Sequence, residues 1–274
     1  MNPNETLTLE RYGFLSRNAL KYFAVACMVC DHIAFAFVEA EPLKTVLIFI
    51  GGFTMPIMAF FLAEGYYYTR DVKKYAARLL LFALISVLPF TYMQCGSWLP
   101  FKITYGNVST ADMCFPLSDG SSFVIRRANF LFTLLLSLLN IALWDKLKVP
   151  VPVKVLITAA VCWISTGCDW GYWCVLISFA FRKFRDNNIL KWILYLLISL
   201  TCILNFKVFQ NPLFFKITYS FMPVRFGLLL VIPLLAVCYN GAKGKGGKFG
   251  KWFFYVFYPA HLLIIDVIIA VLPL

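Results

Sequence analysis

Residues 19–38 read ALKYFAVACMVCDHIAFAFV. At about 1.5 Å of helix rise per residue, such a stretch crosses the roughly 30 Å hydrocarbon core of a bilayer. Asp31 and His32 stand side by side within it, and His261 is the second of only two histidines in the chain. An acid beside an imidazole at membrane depth is costly to maintain, so the pair marks a functional site rather than a filler position.

The rest of the composition agrees with a lipid solvent. Of the 274 residues, 61% are hydrophobic and 14% charged, and the mean hydropathy is +0.79. A soluble domain of this size could not hide that much apolar surface. The chain therefore reads as an all-α polytopic membrane protein, a single transmembrane domain over residues 1–274. Nine candidate spans follow one another at about 19–38, 44–66, 75–93, 128–145, 152–168, 170–182, 189–206, 222–239 and 252–273. The sixth is only about 13 residues long, too short for an ordinary crossing. It reads as a half-helix, a re-entrant turn or a helix buried among others.

A net charge of +12 raises the question of nucleic acid. Its distribution answers it. With the amino terminus placed in the cytoplasm, 18 of the 25 basic residues fall in cytoplasmic segments, among them Arg17, Lys21, Arg70, Lys73, Lys74, Arg78, Arg182, Arg185 and Lys251. That is the positive-inside bias, with the carboxyl terminus outside. Nucleic-acid binding is not needed to explain the charge. No cleavable signal is expected, because a signal core would not contain Asp31-His32.

Cys27 and Cys30 form a C-x-x-C beside the pair, but at about 100° per helical residue His32 does not converge with them. No metal is predicted. Cys95 and Cys114 share the long outer loop, about 94–127, where a disulfide and two free thiols are equal alternatives. That loop, punctuated by Gly and Pro without a helical period, reads as a lid or platform, or else as a tolerated insertion. The segment Gly241-Ala-Lys-Gly-Lys-Gly-Gly-Lys fits neither nucleotide-loop pattern and reads as a basic turn at the start of the last helix. In the second span, Gly51, Gly52 and Pro56 predict close helix contact and a kink near the middle.

The candidate chemistry follows from these placements. His32 lies about 20 Å into the first helix and His261 about 15 Å into the last, so the rings meet if the two helices are neighbours. Asp31 is expected to fix the imidazole tautomer, as an acid does in a catalytic triad. Glu64 is expected to pair with Arg70 or Arg78, and Arg70, Lys73, Lys74 and Arg78 form a cluster able to hold phosphates or lipid headgroups. Asp169 and Trp170, followed by Gly171-Tyr172-Trp173, sit at the outer face, where Asp169 could orient an acceptor amine. Asp266 in the last helix and Arg225 at the outer end of the eighth span could pair, though nothing in the sequence requires it.

These blocks together resemble the TraX family of polytopic membrane proteins over nearly the whole chain. The resemblance is carried by Leu20-Lys21 with Met28-Val-Cys-Asp31-His32-Ile33, Phe53-Thr-Met-Pro56 through Glu64-Gly65, and Tyr68-Thr69-Arg70 with Lys74-Tyr75 and Arg78-Leu79. Asn129-Phe-Leu-Phe-Thr133, Asp169-Trp170-Gly171-Tyr172 and Phe257-Tyr258-Pro259-Ala-His261 complete it. The resemblance implies a protein linked to acetylating the amino terminus of pilin, akin to membrane acyltransferases that use cytoplasmic acyl-CoA. It points to His32 as the catalytic residue. One departure is that the chain reads Ile50-Gly51-Gly52-Phe53 where family members commonly carry an arginine near the glycine. The expected activity is acetyl transfer from acetyl-CoA to an amine or hydroxyl on a peptide or cell-surface acceptor. His32 is the base, with His261 and Tyr258 as a second relay or oxyanion donors. Glu64, the basic cluster, Asn129, Asp169 and Trp170 are expected at the donor and acceptor sites. The alternatives are a proton-coupled transporter that uses Asp31-His32 as its relay, or a purely structural subunit.

Overall fold

A computed structural model describes residues 13–105, 113–205, 207–211, 214–218, 221–244 and 247–272. Helix α1 (Arg17–Phe37) begins at Ser16, whose hydroxyl accepts from Ala19 N. Carbonyls of Ala242 and Lys243 accept from Arg17 N and Asn18 N. The basic turn near residue 241 thus serves the exposed N–H groups at the start of α1.

The second span is broken. Helix α2 (Leu43–Gly51) gives way at Gly52-Phe53 to α3 (Thr54–Tyr68). The break sits at the glycines and not at Pro56, which lies in the first turn of α3, where its missing N–H costs nothing. Glycine is required there: a Cβ on Gly51 would lie 2.5 Å from the Asp31 carboxylate, and one on Gly227 would strike the Phe49 carbonyl. The third span is also bent, by 42°, between α4 (Val72–Ile85) and α5 (Val87–Cys95).

The long loop is not irregular throughout. It carries β1 (Phe101–Thr104), β2 (Met113–Pro116) and β3 (Ser122–Ile125), an antiparallel sheet in the order β1-β3-β2. This adds a small β element to the expected all-α architecture. A helical-period search misses strands of four residues. Then come α6 (Phe130–Lys146), α7 (Val151–Ser165), α8 (Gly171–Lys183) and α9 (Asn188–Ile203). The short sixth span, α8, is packed among α3, α6, α7 and α9, which explains how 13 residues suffice.

A hairpin of β4 (Lys207–Asn211) and β5 (Phe214–Thr218) follows. The eighth span is no continuous helix. It runs as a 3-10 turn (Pro223–Leu228), a short α10 (Val231–Pro233) and a π turn (Leu234–Cys238). Pro223, Gly227 and Pro233 break the regular ladder. Helix α11 (Gly247–Val271) closes the chain.

Among the described residues, three helical stretches are long and apolar enough to cross a membrane: Arg17–Phe37, Leu43–Tyr68 and Trp252–Val271. The bent pair Val72–Cys95 would make a fourth, and shorter apolar helices accompany them. The chain is a membrane protein. Its buried apolar core joins Leu20, Met55, Phe61, Leu138, Ile177, Tyr195 and Leu262, from first helix to last.

Candidate active site

Helices α1 and α11 pack along one seam. Tyr22 meets Phe253 and Phe254 with ring centroids 5.2 and 5.0 Å away, and Lys21 Nζ lies 5.4 Å from the Phe254 ring. Further along, Nδ1 of His32 and Nε2 of His261 are 2.8 Å apart. Each histidine is 6% exposed, and the ring planes differ by only 3°. The two rings expected to meet only if α1 and α11 were neighbours do meet.

The other His261 nitrogen fixes the tautomers. Its Nδ1 is 2.8 Å from the Phe257 carbonyl, which can only accept, so Nδ1 carries the proton. A neutral His261 then offers a lone pair on Nε2, and His32 Nδ1–H donates to it. His32 Nε2 is left as the bare lone pair of the relay. Should His32 take a proton, its imidazolium keeps the same hydrogen bond to His261.

The task assigned to Asp31 therefore falls to His261. Neighbouring residues on a helix project about 100° apart. Asp31 turns toward α2, where Gly51 makes room for it, and no hydrogen bond joins it to His32 among the described residues. Arg127 Nη1 lies 3.4 Å from Asp169 Oδ1. With the Gln94 amide turned so that its oxygen faces Arg127, Nε donates to it at 3.0 Å.

Arg225 does not pair with Asp266. Its Nη1 donates to the Cys202 carbonyl at 2.9 Å and to Asn205 Oδ1 at 3.1 Å, and its guanidinium lies 5.3 Å from the Trp173 ring and 5.9 Å from that of Trp170. Asp266 is buried with both carboxylate oxygens unpartnered among the described residues. Trp170 takes a left-handed backbone, φ 61°, at the turn into α8. Asp169 N donates to the Ala128 carbonyl at 2.8 Å and Thr133 Oγ1 to the Asp169 carbonyl at 2.5 Å, locking this turn to α6.

Two of the expected site residues are occupied by backbone. Asn129 caps α6, its Oδ1 accepting from Leu131 N at 3.1 Å while Nδ2 donates to the Ala83 carbonyl at 2.8 Å. The Tyr258 hydroxyl accepts from Phe130 N at 3.3 Å, with its ring centroid 5.5 Å from that of His261. Its own O–H proton is still available to donate.

At the opposite end of the helices, Glu64 pairs with neither Arg70 nor Arg78. Arg185 Nε donates to it at 3.0 Å, Arg185 Nη2 donates to the Tyr68 hydroxyl at 3.1 Å, and the guanidinium stacks 3.8 Å from the Tyr67 ring. Arg185 lies 121 residues away in sequence, beyond the reach of local pattern. Arg70 and Lys73 are exposed. Lys74 pairs with Asp71 at 3.4 Å, and Lys74 N donates to the same carboxylate, holding it below the usual carboxylate range.

Of the expected basic cluster only Arg78 turns inward. Its guanidinium lies between the Tyr75 and Tyr255 rings, 5.8 and 5.9 Å away, and Nε has no partner among the described residues. Lys21 lies over Phe61 and Phe254, and Arg17 over Tyr68, whose hydroxyl Arg185 also meets. The signal for Lys21 was its spacing. Eleven residues before His32 is three helical turns, which puts both on one face of α1 and roughly 16 Å apart. Cys95 is a free thiol that donates to the Thr91 carbonyl at 3.1 Å, and the Cys114 side chain lies outside the described residues.

Comparison with known proteins follows the same blocks. A family model described as TraX protein matches residues 16–269. The chain is 30% identical over 248 residues to "Probable fimbrial assembly protein FimC, serogroup H1" of Dichelobacter nodosus, covering 90% of this chain and 92% of that one. No solved structure matches. A match running from the start of α1 almost to the end of α11, through both histidines, means that the chain belongs to the TraX family.

Proposed function

We propose that this protein is an acyl-CoA-dependent N-acyltransferase of the bacterial cytoplasmic membrane, acting on the amino terminus of a pilus-type subunit. The observation that carries the reading is the Phe257–His261–His32 relay, which leaves a buried imidazole lone pair and a partner ready to support its charged form. The name of the fimbrial assembly relative supports the choice of acceptor.

The acceptor amine attacks the thioester carbonyl carbon, forming the C–N bond, and His32 Nε2 takes the amine proton. The C–S bond then breaks, and His32 returns that proton to the departing thiolate. His261 holds the imidazolium between the two steps. Asp31, without a hydrogen-bond partner in the described structure, attracts the acceptor ammonium before it is deprotonated. An α-amino group with a pKa of about 7.7–8.0 needs only modest help to become neutral. Tyr258, whose ring lies 5.5 Å from that of His261, donates its O–H to steady the carbonyl oxygen as it gains charge. On the cytoplasmic side, Lys21, Arg17 and Arg78 offer cations for the phosphates of acetyl-CoA, with the pantetheine arm running along the α1–α11 seam.

The test uses the purified chain in liposomes with acetyl-CoA and a peptide bearing a free amino terminus. The expected result is peptide-dependent release of free thiol and an acetylated peptide, both lost in His32→Ala. A proton-coupled transporter would leave the thioester intact and move protons instead. That outcome overturns the enzyme reading.

A further inference from the structure

Strand register decides which side chains share a face of the small sheet. Phe101 stands opposite Ile125, Ile103 opposite Phe123, and Phe115 opposite Phe123 on the other side. Side chains alternate across a strand. One face therefore carries Phe101, Ile103, Phe115, Phe123 and Ile125, and the other Lys102, Thr104, Ser122 and Val124. Val124 is fully buried, whereas Phe101 is 50% and Ile103 64% exposed. The apolar face is open at β1, where Lys102 of the other face is exposed as well, and Val124 seats that other face at β3. A half-exposed antiparallel sheet in water packs its apolar face inward.

The open apolar face at β1 has neighbours of one kind. Leu84, Ile85 and Leu88, on the outer side of the bent pair α4–α5, are exposed, and so are Trp98 and Leu99 just beyond α5. Trp98 stacks on Tyr92 with centroids 4.3 Å apart, placing two amphipathic rings where an apolar helix meets polar chain. Exposed apolar residues thus recur along the chain from the α4–α5 bend through Trp98 and Leu99 to Phe101 and Ile103 of β1. Lys102, exposed between Phe101 and Ile103, has the reach to meet a phosphate headgroup.

We propose that the sheet is a membrane-contact element: the Phe101–Ile103 face lies in the headgroup–acyl boundary of the bilayer, and lipid covers it. This holds whether or not the protein transfers acyl groups. Strand β3 runs through Arg126 to Arg127 in two residues, so an anchored sheet also sets the depth of the guanidinium that meets Asp169.

The experiment uses the unaltered full chain in vesicles of phosphatidylethanolamine and phosphatidylglycerol. The vesicles carry a phospholipid with a photoactivatable diazirine high in its acyl chain, and labelled peptides are mapped by mass spectrometry. Label is expected on Phe101 and Ile103 as well as on Leu84–Leu88. In a parallel reaction, a water-soluble diazirine is expected to spare these two side chains. Phe101→Ser combined with Ile103→Ser is expected to abolish lipid label on the sheet while retaining it on Leu84–Leu88. The proposal is overturned if lipid labels Leu84–Leu88 but not the sheet, if the aqueous reagent labels Phe101 and Ile103, or if the face instead cross-links to a polypeptide when the probe is placed on one.

Discussion

The two ends of the helical body handle buried charge differently. Around Glu64, the charges are matched: Arg185 meets the carboxylate, a tyrosine hydroxyl and a tyrosine face at once. Around His32, Arg127 serves Asp169 and Arg225 serves backbone and Asn205, but Asp31 has no hydrogen-bond partner in the described structure and the His32–His261 relay ends in a bare nitrogen. A matched set needs nothing more and holds helices together. An unmatched acid beside a base is costly in an apolar setting, and it persists where something else completes it.

The largest expected effect tests the unmatched end. His32→Ala should lower acetyl transfer by about 10²–10⁴-fold, the range for loss of a positioned base, with the helical circular dichroism spectrum unchanged. An equal loss of structure would turn His32 into a packing residue. His261→Ala removes one hydrogen bond to a charged group, about 1.5–3 kcal/mol, or roughly ten- to a hundredfold in kcat. KM for the amine should hold. His261→Gln, which can still accept from His32 Nδ1, should recover part of that loss, and a variant no better than alanine would argue against the positioning role.

Gly51→Ala comes next, since the new Cβ must displace the Asp31 carboxylate. A crowding cost of about 1–3 kcal/mol is expected, together with a raised KM for amine acceptors. A variant with wild-type KM and melting temperature would show that Asp31 is free to move. The matched end should respond more mildly and in a different observable. Glu64→Gln breaks a pair whose side chains are 13% and 25% exposed and should cost about 1 kcal/mol, seen as a lower melting temperature in detergent with kcat retained. Loss of kcat there would erase the contrast between the two ends.

The smallest effect is at the exposed Asp71 cap of α4. Its carboxyl sits below the usual range because Lys74 N–H, above all, donates to the charged form. A lowered folded-state value means the cap stabilises α4 above the ordinary carboxylate range. That contribution fades as pH falls through the folded value. The protection factor of amides in the first turn of α4, that is, the exchange rate divided out by the intrinsic rate at each pH, should fall on acidification in the native chain and stay constant there in Asp71→Ala.

Membrane character, the positions of the main apolar runs and the importance of His32 and His261 were all legible in the sequence. Each is a local property: hydropathy over about 20 residues, or a polar residue inside such a run. Local pattern could not reveal that α11 lies against α1, that Arg185 reaches Glu64, or that Arg127 meets Asp169 and Arg225 the Trp170 ring. It also gave the tautomer-setting role to the nearest acid in sequence, Asp31, because adjacency along a chain was mistaken for adjacency around a helix. Which nitrogen of His32 stays bare depends on a carbonyl at Phe257, 225 residues away, and hydrogen bonds of that kind exist only once the helices have packed.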